Sequence, residues 1–205
     1  MSIYREKVLP HIIDFACGMK SADVHRERVC AGLDGKVLEI GFGSGLNVPF
    51  YPGSITSVAA VEPADVAWRM AQKRLGASGV DVERAGLDGQ ALPFDDDSFD
   101  TALSTWTLCT IPDVTRALAE VRRVLKPGGT LHFIEHGLAP DVKVQRRQNR
   151  MNGLQQKLFG GCNLNRQIVP LITDAGFTIK EVDVFYEKGA PKVFGADSLG
   201  VAIAS

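Results

Sequence analysis

The residues best suited to chemistry begin at Val37, where Val37-Leu-Glu-Ile-Gly-Phe-Gly-Ser-Gly45 carries a short apolar strand into alternating glycines. Gly41, Gly43 and Gly45 let a backbone turn sharply and approach a ligand closely, and the segment after them, Leu46-Asn47, can offer N–H groups to an anion. Glu62 stands 21 positions beyond Gly41, directly after a second apolar run, and Pro63 ends that run. An acid at a strand end can take both hydroxyls of a ribose, so loop and acid together indicate a nucleoside-bearing ligand at the carboxyl ends of the strands. The plainer alternative is a surface carboxylate at a helix N-terminus, where the dipole favours it. A dinucleotide fingerprint needs glycine at position 46, and Leu46 there argues against a nicotinamide or flavin oxidoreductase.

His136 closes the apolar run Thr130-Leu-His-Phe-Ile-Glu135, at a strand end of the kind where open α/β sheets bind ligands. Its imidazole can take a proton from an incoming nucleophile, or it can make a local structural hydrogen bond; the residues leave both readings open. His132-Phe-Ile-Glu-His136 has the form H-x-x-E-H, but that zinc pattern needs a helix, and here it follows Pro127-Gly-Gly and ends a strand. Asp95-Asp-Asp97 lacks the spaced oxygen ligands of a cation site and reads as a solvated turn, so no metal is expected. Cys17, Cys30, Cys109 and Cys162 contain no C-x-x-C pair and read as reduced thiols of a cytoplasmic protein. Cys109 and Cys162 are expected as small apolar fillers with no nucleophilic role.

The elements that must position these groups follow from periodicity. The 205 residues suit a single domain, and 45% hydrophobic with 23% charged residues exclude a disordered chain. A net charge of −1 argues against a nucleic-acid coat or a polybasic membrane anchor. The uncharged run from Gly41 to Val61 is long enough to span a bilayer, but its glycines and prolines make it loop-rich, so no stable membrane insertion is expected. Val8, Ile12, Phe15 and Met19 mark one helical face over Tyr4 to Lys20, which places His11 and Phe15 as a candidate lid wall over a substrate; plain packing against a sheet is the alternative. Strands are expected at 37–40, 57–61, 80–83, 99–104, 130–135, 178–187 and 199–204, with helices at 64–75, 114–125, 141–159 and 165–175 between them. Strands separated by helical crossovers give a doubly wound α/β fold with a mostly parallel seven-stranded sheet. The short connection between the last two strands makes them an antiparallel pair at one edge. The expected organisation is an N-terminal helical lid (1–34), a ligand-binding core (35–135), a lid or substrate insertion (136–163), and a C-terminal helix with edge strands (164–205). Lys143, Arg146, Arg147 and Arg150 form one stripe of the insertion helix, read as a solvated lid face.

The ordered runs LEIGFGSG, VEP, DGQALPFDDDSFD and EVRRVLKPGG, spread between Lys36 and Phe177, resemble the class I S-adenosylmethionine-dependent methyltransferases of the type 11, ubiquinone-biosynthesis-like kind. The runs NVPFYP (47–52), TLCTI (107–111), FIEHG (133–137) and GGCNLNR (160–166) resemble most the alkyl-thiol methyltransferase-like group. The resemblance implies a Rossmann-like methyltransferase fold, with S-adenosylmethionine as cofactor and S-adenosylhomocysteine as product. It places Glu39, Gly41, Gly43, Gly45 and Asn47 at the methionine end, Glu62 with Pro63 at the ribose, and Asp88, Gly89 and Gln90 at the adenine. Thr105 and Trp106 would lie beneath the sulfonium, and His11, Phe15, Trp106 and His136 would line the substrate pocket. Relatives more often read G-D-A-E where this chain reads Leu87-Asp-Gly-Gln90. Eukaryotic thiol relatives carry a hydrophobic N-terminal anchor that this sequence does not show. The implied activity is methyl transfer to a small, partly apolar acceptor such as a thiol or phenol. The rivals are a nicotinamide-dependent oxidoreductase, a non-catalytic cofactor- or partner-binding protein of the same fold, and a nucleic-acid methyltransferase. The last is opposed by Ser104-Thr-Trp-Thr107, which stands where an N-P-P-Y-like tetrapeptide would be needed.

Overall fold

Val37, Leu38, Glu39 and Ile40 are four consecutive buried residues, the mark of a strand covered on both faces. They belong to β1 (Gly35–Ile40), the central strand of a computed structural model that describes residues 4–205; the first three residues of the expected lid lie outside the described residues. A helical turn, Tyr4–Val8, leads into α1 (Leu9–Cys17) and α2 (Lys20–Cys30). After β1 come β2 (Ile55–Val61), α3 (Asp65–Gly76), β3 (Val82–Gly86), β4 (Phe99–Thr105), α4 (Val114–Val124) and β5 (Leu125–His136). The chain finishes with α5 (Val142–Leu158), α6 (Ile168–Asp174), β6 (Phe177–Tyr186) and β7 (Ala196–Ala204).

Among the described residues, seven strands form one sheet in the order β3-β2-β1-β4-β5-β7-β6. Strands β1 to β5 run parallel, and β7 lies antiparallel between β5 and β6. Helices α4 and α6 cover one face, packing Leu118, Val121 and Ile172 against Leu38, Leu131 and Phe133. On the other face α2 brings Val29 and Cys30 onto Val37, Leu103 and Ile134, and α3 sets Ala71 against Ala60. From β1 the chain winds first to β2 and β3, then returns to β4 on the opposite side of β1. That reversal opens a crevice beyond the carboxyl ends of β1 and β4, where such sheets hold ligands.

Most strand and helix ends shift from the sequence reading by a few residues, and the third and fifth strands are the instructive cases. The third strand runs from Val82 to Gly86 rather than over 80–83, because Arg84 belongs to it: its guanidinium donates to the Glu62 carbonyl at 2.9 Å and to Asp65 at 2.7 Å, so a charged residue is tethered along the sheet. The fifth strand begins at Leu125, ahead of the expected Thr130, since Lys126-Pro-Gly-Gly129 continues the strand through an irregular stretch in which Gly128 takes φ +79°.

Candidate active site

The crevice holds a cavity of about 500 Å³ over the glycine loop. Gly41 adopts φ +70°, and a Cβ there would fall 2.0 Å from Thr107 Oγ1, so both the backbone and the space demand glycine. Gly41→Ala should therefore cost on the order of 2 kcal/mol of stability in urea unfolding. Gly153→Ala, in α5 with nothing within 4 Å, should be neutral or stabilising. Gly45, at φ +74°, shapes the turn instead of lining the cavity; its Cα faces Ala71, Phe42 and Val48.

Glu62 is buried at the end of β2 and lines the cavity beside Pro63. Its two oxygens accept from Gly43 N and Ala64 N, each at 2.7 Å. Burial pushes this carboxyl up, against the pull of those two N–H groups. Each oxygen keeps a further acceptor site, so the pair can still take two hydroxyls. Asp88, Gly89 and Gln90 lie at the cavity rim. Gln90 donates to Asp88 Oδ1 from both its backbone and its side chain at 2.9 Å, holding that carboxylate below its usual range. The remaining amide oxygen of Gln90 accepts from Asp113 N at 2.9 Å. Gln90 thus builds the rim loop, and Asp88 is the group it presents.

Glu39 does not line the cavity. It lies behind Asn47, whose Nδ2 donates to Glu39 Oε1 at 2.9 Å and to Thr105 Oγ1 at 3.0 Å, while Tyr51 OH donates to the other Glu39 oxygen. Burial lifts Glu39 to about 7 despite the bonds from Tyr51 and Asn47. Its place is therefore to hold Asn47 on the wall. Arg26 of α2 was not among the sequence candidates, yet it is buried there, donating to Asn47 Oδ1 and to the Cys17 carbonyl, with its Cζ 4.9 Å from the Trp106 ring centre. Its signal was present in the spacing: Ala22, Arg26, Val29 and Cys30 are the buried residues of α2, so an arginine occupies its apolar stripe. The wall next to Asn47 thus carries a guanidinium and, one layer back, a carboxylate, a setting suited to a zwitterion.

Trp106 has φ +50°, strained for a bulky residue, and is held by Trp106 N to the Ile134 carbonyl at 2.8 Å and Nε1 to Asp197 Oδ1 at 3.2 Å. Beneath the turn that follows, buried Glu135 accepts from Ser104 Oγ at 2.6 Å, Thr107 N at 3.0 Å and Cys109 N at 3.2 Å. The glutamate of the apparent zinc pattern is thus a structural cap for the turn. His132 Nδ1 meets the Val29 carbonyl at 3.1 Å across the sheet, and no metal-ligand cluster occurs among the described residues.

A second cavity of about 470 Å³ meets the first at Trp106, Thr110, Cys17, Ile13 and Phe159. Its wall is mostly apolar, with Met19, Met151, Leu154, Leu158 and Phe194, and its polar groups include His136 and Asp197. His136 is buried, and its Nε2 has no partner among the described residues. The expected substrate residues His11 and Phe15 do not reach either cavity: both are exposed, Phe15 by 79%. The apolar stripe of α1 is real but turned outward, and the opposite face, Ile13, Asp14 and Cys17, looks inward. Asp14 fixes that orientation, accepting from Ser44 Oγ at 2.5 Å and pairing with Arg74 at 3.2 Å, so α1 is bolted to the glycine loop by charge. Cys109 and Cys162 are buried, as the expected fillers would be, and they lie together with His136: Cys162 Sγ is 3.8 Å from Cys109 Sγ and 3.5 Å from His136 Nδ1. Lys143, Arg146, Arg147 and Arg150 are exposed along α5.

The methyltransferase domain family model matches residues 38–133. A thiol S-methyltransferase of Homo sapiens is 32% identical over 157 residues, covering 72% of this chain and 63% of its own length. A phosphatidylethanolamine N-methyltransferase of Cereibacter sphaeroides is 28% identical over 130 residues, 61% of this chain and again 63% of the relative. The chain thus spans less than two thirds of these curated relatives. Among solved structures, an S-adenosylmethionine-dependent methyltransferase of Thermotoga maritima superposes with a TM-score of 0.70 and 25% identity, over 99% of this chain and 98% of that one. Residues 38–133 thus form a methyltransferase domain of the class I S-adenosylmethionine-dependent kind, on a fold that such proteins share over nearly the whole chain.

Proposed function

We propose that the chain methylates a small, partly apolar acceptor, with a thiol as the preferred nucleophile. The observation that carries this reading is the apolar cavity joining the cofactor crevice at Trp106, with the unpartnered Nε2 of His136 in its wall. The likeness to a thiol S-methyltransferase supports the thiol.

The residues present fit S-adenosylmethionine. Glu62 takes the ribose hydroxyls, Asp88 the adenine amino group, and Arg26 the amino-acid carboxylate, with Asn47 beside it. When bound, the cofactor supplies an electrophilic methyl group on a sulfonium. Trp106, directly after β4, stands where the two cavities meet, with Thr105 beside it in the first, and the pair sets the line of approach. Such alignment is worth roughly 7–11 kcal/mol in well-oriented reactions. The apolar wall also favours the reaction, because it keeps water from the acceptor's sulfur and leaves a thiolate formed there poorly solvated and so more nucleophilic. A thiol of pKa about 8.5 is mostly protonated at neutral pH, so His136 Nε2 receives its proton.

The test is a series of alkyl thiols with increasing chain length. kcat/KM should rise with apolar length, by about 0.8 kcal/mol per buried methylene. His136→Ala should lower it at least tenfold near pH 7 and lose its effect above the thiol's own pKa of about 8.5, where the base is not needed. A rate indifferent to chain length, or equal in wild type and variant at pH 7, would contradict this reading.

A further inference from the structure

The acceptor cavity contains a small charged device that methyl transfer from the cofactor does not itself require. Cys162, from the loop after α5, places Sγ 3.5 Å from Nδ1 of His136 at the end of β5. Cys109, in the turn after β4, places its sulfur 3.8 Å from Cys162 Sγ. All three side chains are buried and all three line the second cavity. We infer that Cys162 works as a thiolate that holds His136 by its Nδ1–H, leaving Nε2 free to take the acceptor's proton, with the Cys109 thiol steadying the anion. Cys162 then has the part an aspartate plays beside a catalytic histidine: it fixes the tautomer and supports the imidazolium when the proton arrives. Cys162 is a positioning residue, and the inference rests on His136 acting as the base.

The surroundings decide the direction of each charge. Cys109 and then His136 draw Cys162 down to about 5, against burial, while Cys109 itself is pushed up, so of the two sulfurs Cys162 carries the charge. Burial alone would lower His136, but Cys162, Asp197 of β7 and Glu135 of β5 outweigh it and hold the imidazole above its ordinary range. Gln155 of α5 adds a hydrogen bond to Cys162, and Cys17 of α1 and Arg166 also face the cluster. Glu187 also lines the cavity, but it is paired with His25 at 2.7 Å. Asp197 is engaged by Trp106 Nε1, which leaves the sulfur as the group in direct contact with Nδ1. A base held above about 6.5 accepts the proton of a thiol more readily than an ordinary histidine, provided the pH is high enough to keep it neutral.

The experiment is an NMR titration of the His136 ring in the full chain, run beside pH–rate profiles with an alkyl thiol, for wild type, Cys162→Ala, Cys162→Asp and His136→Ala. The wild-type midpoint should lie above 6.5, and kcat/KM should rise with pH through that midpoint. Cys162→Ala, which removes only the sulfur, should drop the midpoint by about one unit and kcat/KM about tenfold near pH 7, with KM little changed. Cys162→Asp should restore both, since a carboxylate can hold the same N–H. A midpoint that does not move in Cys162→Ala, or a carboxylate variant no better than alanine, would overturn the inference. A rate untouched by His136→Ala would overturn the base reading instead, and the Cys162→Ala titration would still report on the pairing by itself.

Discussion

Glu62→Gln should weaken S-adenosylmethionine binding about 100-fold or more in titration calorimetry. The wild-type carboxylate sits at the end of β2 with two backbone N–H bonds aiming it into the cavity, so its free lone pairs are already in place for a ribose. Hydrogen bonds to a charged acceptor contribute about 1.5–3 kcal/mol each, and replacing the carboxylate removes the charge from both while turning one acceptor into a donor. That new NH₂ group also faces a backbone N–H, from Gly43 or Ala64, so the glycine loop loses one of its two anchors on this side chain. Binding within about threefold of wild type would mean that Glu62 only caps the loop.

The second large effect concerns stability. Glu135→Ala should cost at least about 3 kcal/mol, read from urea unfolding, because it strands the Ser104 hydroxyl and the N–H groups of Thr107 and Cys109 in the interior at about 1–3 kcal/mol each. Glu135→Gln keeps an acceptor oxygen and should cost far less. Its comparison with wild type has a defined pH dependence. Burial raises the folded-state Glu135 to about 7, against the hydrogen bonds from Ser104 and the turn, from an ordinary value of 4.5. A carboxyl raised on folding gives stability that is full below its unfolded value and is lost as pH climbs through the folded one. The wild type should therefore lose ground to Glu135→Gln between pH 4.5 and about 7, by an amount on the order of 3 kcal/mol, with Glu39 cancelling because both chains carry it. A gap that is flat with pH would show that Glu135 is ionised throughout.

Much of the lining of the first cavity was legible in the sequence because it depends on local spacing. Gly41, Glu62 and Asp88 each sit just beyond a strand, and a strand end fixes where a side chain points relative to the sheet. Glu39 shows the limit of that reasoning: it sits near the carboxyl end of β1, but Asn47, eight residues on, folds back in front of it. The acceptor side was largely illegible. The outward stripe of α1 satisfied the helical period as well as the inward one, and only the Asp14 contacts with Ser44 and Arg74, thirty and sixty residues away, select the face. Cys109, His136 and Cys162 arrive from three separate elements, and no spacing rule links them. Arg26 lay between these cases, visible as a charge within an apolar stripe, yet without a partner until the fold brings Asn47 and Trp106 to it.

Two of the curated relatives are named for a thiol and for a lipid amine as acceptor, and the two are separable in one vessel. The chain is incubated with methyl-deuterated S-adenosylmethionine, an alkyl thiol and vesicles of phosphatidylethanolamine at equal accessible concentration, and the label is located by mass spectrometry. Label in the thioether, with the vesicle amine unlabelled, is the predicted result. Label on the amine, with the thiol untouched, would contradict the assignment of the apolar cavity and His136 to a thiol acceptor.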